Sequence, residues 1–432
     1  MKMPRCGSNR VGQDCRSMGE EPGGLTVTSS SDSALVNYLA AVDLMLAGRS
    51  DVDGSIDAAL AHDENMVLAL VLRSLRVRMR GQVDQSVAAL RSAGVAAQAA
   101  TERERSVVAF FEAFFGPDRF ETERRGLEHL RAYPRDRLVV WYMHILYNIM
   151  LPTTDRRDRH RALALEHAAD WGDDWFLLGE QAFIATEAGE HVEARTLAER
   201  ALTARPENAP AAHAMAHALL ETGAEGEGRD WLGKWLEDWG SASTSLCHLT
   251  WHQALLELAD GESVAAARRL DAILDEASPP LGALMDGASL MWRLHLEGWP
   301  EPLPWHVLEH APVPPGFAFG ALHRAFVLAG LGRSAQIRSN AAAMNGAVAE
   351  ASRALADFAD GDTNEAADRL LEHEPDLVTI GGSRAQLEVL EDTLITALWR
   401  SGRANAAAER LENRLARRPS LRDRHWYATI AA

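Results

Sequence analysis

The sequence predicts an all-α fold, a right-handed solenoid of degenerate helix pairs. Three observations carry this. Alanine and leucine are abundant and proline is scarce over long stretches, which favours helix. From Ala34 onward, apolar residues recur at helical spacing in stretches of about 10–16 residues separated by short turns. Glycines recur at the turns, at Gly48, Gly81, Gly189, Gly223, Gly261, Gly332, Gly361 and Gly402. No stretch alternates convincingly with the period of a strand.

The clearest unit runs from Trp175 to Pro206. Gly189, Ala194, Ala201 and Pro206 fall where a tetratricopeptide repeat places its turn glycine, two small packing residues and closing proline. Gly223 follows Gly189 by 34 residues, the length of that repeat. The copy around Gly402 carries Ala407 and Pro419 at the same offsets. A helix pair cannot bury its apolar face alone, so such units stack and present a concave surface. The spacing then drifts to 38 residues before Gly261 and 71 before Gly332. An insertion accounts for part of this. Pro300, Pro302, Pro304, Pro312, Pro314 and Pro315 interrupt helix between Trp299 and Phe319. Residues 1–32, rich in Gly, Ser and charge, read as a disordered tail, and 33–432 as a single helical-repeat solenoid with the proline-rich insertion near 299–319.

Charge and composition exclude several functions. The formal charge is −18, from 44 basic and 62 acidic side chains, which repels phosphate backbones and makes nucleic acid an unexpected partner. The most apolar stretch, Leu138 to Leu151, contains His144 and Asn148 and is shorter than a bilayer span, so no membrane is expected. Cys6, Cys15 and Cys247 make neither a disulfide framework nor a metal motif by spacing, which suits a reducing, cytoplasmic setting. The N-terminus lacks the apolar run of a secretory signal. Lys2 and Lys234 are the only lysines, so any lysine chemistry would fall to one of them. Gly228, Gly233 and Lys234 imitate a phosphate loop, but Trp235 stands where the Ser or Thr is required. Trp231, Trp235 and Trp239 share one helical face and read as packing residues.

The histidines are the informative chemistry. Three pairs stand four apart: His213/His217, His248/His252 and His306/His310. Sixteen scattered histidines would give about 0.6 such pairs. A spacing of four puts both imidazoles on one helix face. The first two pairs sit in the first helices of adjacent repeats, which stand side by side on the concave surface. Four imidazoles there would form a polar pocket. They would also suit a divalent transition metal held by His213, His217, His248 and His252, with Asp286 and Glu221 as carboxylates to complete it. Packed, hydrogen-bonded histidines are the competing reading. His306/His310 follows a proline-rich turn and reads as a surface or capping pair.

These residues resemble the signature of the tetratricopeptide repeat protein 38 family. The similar stretches are His213-Ala-Met-Ala-His217 and Cys247-His248-Leu-Thr-Trp251-His252, together with Met285-Asp286-Gly-Ala-Ser289-Leu-Met-Trp292-Arg293-Leu294 and Gly381-Gly382-Ser383-Arg-Ala385-Gln386-Leu-Glu388. Glu388 replaces that family's Asp, and His323 falls at a helix histidine of the family. The resemblance is specific from about residue 205 to 430. It implies an all-helical solenoid whose motif residues share a groove: His213, His217, His248, Trp251, His252, Asp286, His323, Ser383 and Gln386. It brings no activity with it. The expectation is a protein binding a small molecule or peptide in a histidine-rich concave groove. The alternatives are an enzyme, using the histidines and Asp286 as metal ligands or general acid and base, and an assembly adaptor whose histidines are merely packed.

Overall fold

The structure, a computed structural model, describes residues 17–21 and 23–431. Apart from one hairpin, the described chain is a succession of helices joined by short turns, an all-α helical-repeat fold. All eight turn glycines adopt positive φ, between 66° and 88°. Only glycine takes this conformation without strain, so each ends one helix and lets the next fold back. The small residues expected inside the repeats are buried: Ala194, Ala201 and Ala407 are fully covered.

The expected tail is corrected over 17–29, where strands Ser17–Glu21 and Leu25–Ser29 pair antiparallel, with Gly19 opposite Val27; residues 1–16 lie outside the described residues. The hairpin is held by residues far along the chain. Thr28 donates from its backbone N and its hydroxyl to Glu104, Arg103 reaches Glu21, and Tyr38 donates to Glu21 at 2.7 Å. Those partners are why a short polar segment of low hydrophobicity has a fixed conformation.

The helical residues, expected as one array, fall into two compact units. The first holds the hairpin and the chain to Met45, with Asp51–Asp118 and Arg124–Asp136. The second holds Leu46–Ser50, Arg119–Glu123 and the chain from Arg137 onward.

In the second unit the first helices of successive pairs pack in a row. Trp175–Glu187 lies against Ala209–Glu221, which lies against Leu246–Ala259, then Pro280–Leu296, then Ala318–Gly330. The proline-rich connection between the last two contains one short turn of helix, Trp305–Leu308. Trp305 is buried there, and its ring lies so close to Gly330 that a Cβ would collide with it. His306 and His310 are exposed on this connection.

The first helices are not open to a groove along their length. In Leu246–Ala259, twelve of fourteen residues are buried, because later helices return onto them. Arg384–Arg400 packs on Pro280–Leu296, where Trp292 Nε1 donates to Thr393 Oγ1 at 2.9 Å, and Leu421–Ala431 packs on Leu246–Ala259. The Gly381-Gly382-Ser383 segment is one of the joints. Gly382 N donates to the Asn148 carbonyl at 2.7 Å, and buried Arg156 ties the carbonyls of Tyr147 and Asn148 to those of Val378 and Gly382. A Cβ on Gly382 would strike Phe319.

Candidate functional site

His213 and His217 lie on Ala209–Glu221, started by Asn208, whose side chain accepts from Ala211 N. His248 and His252 lie on the adjacent Leu246–Ala259, and Asp286 on the next, Pro280–Leu296. Helical spacing turns each histidine pair to one side, and the packing of the two helices brings the pairs together. Nε2 of His213 is 3.1 Å from Nε2 of His248, which is 3.2 Å from Nε2 of His252. Nε2 of His217 is 3.0 Å from Nε2 of His213.

The four are not equivalent. Ligand atoms of His213, His248 and His252 all fall within 4.8 Å of one another, and His217 is outside that set. Zinc–imidazole bonds of 2.0–2.1 Å in a tetrahedron place nitrogens about 3.3 Å apart, within a few tenths of the His213–His248 and His248–His252 separations. The four expected residues therefore divide into a close set of three and His217, whose Nε2 meets that of His213. The carboxylate also has a different place from the one expected. Asp286 accepts from Nδ1 of His248 at 3.0 Å, on the side of the ring away from the other histidines. A carboxylate on one imidazole nitrogen fixes the tautomer and leaves the lone pair on the other, the arrangement that orients metal ligands. The Cys247 thiol, 3.8 Å from the second Asp286 oxygen, donates to it.

Electrostatics keeps His213, His217 and His252 neutral. Burial, reinforced by the neighbouring histidines, holds His213 and His252 well below the ordinary imidazole value. Burial brings His217 down to about 3. Neutral imidazoles offer lone pairs, which a cation needs and a proton would block. His217 and His252 are buried, while His213 is half-buried and the His248 side chain keeps 30% of its exposure. The way in therefore passes His213 and His248.

The remaining expected residues separate. Trp251 is fully buried, stacked on His248 at 5.4 Å with the Arg293 guanidinium over its ring, so it is a wall behind the site. His323 is buried and donates from Nδ1 to the Phe319 carbonyl at 2.7 Å. Burial brings it down to about 4, against the opposing pull of the Phe319 hydrogen bond and of the Asp286 charge. Ser383 and Gln386 form a capping box at the start of Arg384–Arg400. Ser383 Oγ accepts from Gln386 N, and Gln386 Oε1 accepts from Ser383 N at 2.9 Å. Their polar groups are used in starting a helix, so their place is in the fold. Glu221 faces Arg418 at 3.9 Å instead of the histidines. Glu388 accepts from Arg418 at 2.7 Å, and despite burial the Arg418 and Arg414 charges hold its carboxyl well below the usual range.

Sequence reasoning missed three neighbours. Phe183 stacks on His213 at 5.2 Å and meets His144 at 4.6 Å on its other side. His144 Nδ1 stands 2.9 Å from Glu180 Oε2, an ion-pair distance whose angles make no hydrogen bond. The signal for them was the repeat step. His144, Glu180, His213, His248, Asp286 and His323, one from each of six helices, follow one another by 36, 33, 35, 38 and 37 residues.

No family model matches the chain. Similar solved structures include the TPR domain of P58(IPK), at 11% identity with a TM-score of 0.23, covering 86% of this chain and 99% of that one. Another is Naa15/Naa10 bound to HypK-THB, at 13% identity with a TM-score of 0.20, covering 89% of this chain and 70% of that one. The helical-repeat assignment rests on the packing described above. Among the described residues no helix is long and apolar enough to cross a membrane.

Proposed function

We propose that this helical-repeat protein holds a divalent transition metal through His213, His248 and His252, and uses the open coordination position to bind a small ligand. The observation that carries this is the convergence of three imidazole nitrogens with Asp286 on the far nitrogen of one of them. Three imidazoles with an open fourth position is the ligand set of catalytic zinc sites, where the metal polarises a bound carbonyl or activates water. Burial of His217 and His252 favours a small ligand over a peptide. Membership of the tetratricopeptide repeat protein 38 family is part of the same proposal. It is supported by the placement of His213, His217, His248, His252 and Asp286, all signature positions, at one spot. A cytoplasmic setting fits, because a reducing compartment keeps the buried Cys247 as a thiol.

The test is metal analysis of freshly purified protein, followed by Zn(II) and Co(II) titration. About one equivalent is expected, and His248→Ala should weaken uptake about a hundredfold while helicity is unchanged. Less than about 0.1 equivalent with no uptake on titration would sink the reading.

A further inference from the structure

His217 is fully buried, and its Nδ1 has no hydrogen-bond partner among the described residues. Its Nε2 makes one hydrogen bond, to Nε2 of His213 at 3.0 Å. A neutral imidazole carries one N–H. Placing that proton on Nδ1 would bury a donor with nothing to receive it, a costly arrangement. The proton therefore belongs on Nε2, donated to the His213 lone pair. A metal on His213 takes that same lone pair. The N–H of His217 then loses its acceptor. The ring cannot swing away, because Phe183 meets it edge-on at 5.2 Å and His252 packs on it at 4.4 Å. Something must replace the lost acceptor, and an atom on the open metal position is placed to do so. His217 stands beside one ligand nitrogen yet outside the three-nitrogen set, as expected of a group that meets the bound ligand and not the metal.

We propose that His217 donates a hydrogen bond to an anionic oxygen bound on the metal, so that the centre selects small carboxylates. The inference rests on the metal reading above and goes beyond it by naming the ligand class. A nitrogen ligand spends its lone pair on the metal and leaves the donor unanswered, and a neutral oxygen accepts more weakly, whereas a carboxylate oxygen bridges metal and N–H at once. Hydrogen bonds to charged acceptors are the stronger kind.

The test uses the full chain loaded with Co(II), titrated with acetate and followed by the visible spectrum of the metal. His217→Leu and His217→Phe remove the donor, with the ring-shaped Phe carrying the test if Leu disturbs folding. His217→Gln keeps an N–H. Leu or Phe should retain about one cobalt per chain and lose about tenfold or more in acetate affinity, while Gln should stay within about threefold of the parent. Loss of cobalt from a folded Leu or Phe variant would make His217 a fourth ligand and overturn the proposal. So would an acetate affinity within about twofold of the parent. Failure of the parent chain to take up cobalt would remove the metal reading, and this inference with it.

Discussion

Both units set a histidine against a buried aspartate, and the two arrangements differ in what the rings have left over. In the first unit, His129 uses both nitrogens, Nδ1 with Ser106 Oγ at 2.9 Å and Nε2 with Asp136 Oδ2 at 3.1 Å. Asp136 also accepts from Arg103 at 2.8 Å, and Arg103 continues to Glu21 at 3.0 Å. Written as a series, serine, histidine and aspartate suggest a nucleophile. Yet His129 is buried and Asp136 is bound to an arginine, so the network is closed and holds the hairpin to its helices. In the second unit, His248 spends Nδ1 on Asp286, and its Nε2 points at two more imidazole nitrogens. Nitrogens of the same kind, all needing a proton or a cation between them, form an open set. The lesson is that residue types and distances do not separate a strut from a site. The count of lone pairs left unspent does.

The largest effect should come from breaking the closed network. Asp136→Ala leaves the buried Arg103 charge with Glu21 alone and takes the partner from His129 Nε2, and is expected to lower stability in urea by about 3–5 kcal/mol while cobalt uptake stays unchanged. A loss below about 1 kcal/mol would mean that the first unit is not organised around this pair.

Acid should then separate the units. His323 is held at about 4 in the folded chain against about 6.5 unfolded, so below 6.5 the unfolded chain takes up the proton first. Its contribution is present above about 6.5 and is lost as pH falls toward 4, about 2 kcal/mol by pH 5. Asp136 loses its contribution in the same direction but at lower pH. Burial pushes its carboxyl up, but Arg103 and His129 outweigh burial and hold it below the usual range. Its contribution persists at pH 5 and fades only below about 4. Hydrogen exchange at pH 7 and pH 5 should therefore show protection falling in Ala318–Gly330 and holding in Glu102–Phe115. Equal loss in both would erase the contrast.

The smallest expected effect concerns Ser383. As a helix cap, its replacement by Ala should cost about 1 kcal/mol in thermal or urea unfolding and leave cobalt and acetate binding as they are. Weakened acetate binding at full metal content would return Ser383 to the site.

The turns were legible because they are local. A glycine at positive φ ends a helix whatever lies beyond it, and all eight marked in the sequence do so. The histidine pairs were legible because 3.6 residues per turn fixes which side chains share a face. Other features depended on partners far along the chain. Asp286 meets His248 across 38 residues, and Arg103 meets Glu21 across 82, so neither the ligand's orienting carboxylate nor the hairpin carries a local signal. Glu221 shares a helix with two of the histidines but faces Arg418, which spacing alone does not reveal.

By itself, then, the sequence determined the helix pairs, their period and the faces that carry imidazoles, because backbone turns and helical pitch are set by neighbouring residues. The tertiary structure alone decided that the first helices are core instead of groove, that three imidazoles form one set with a fourth beside it, and that an aspartate stands behind one of them. Those outcomes depend on which helices return to pack on which, and that is settled by contacts between residues tens to hundreds of positions apart.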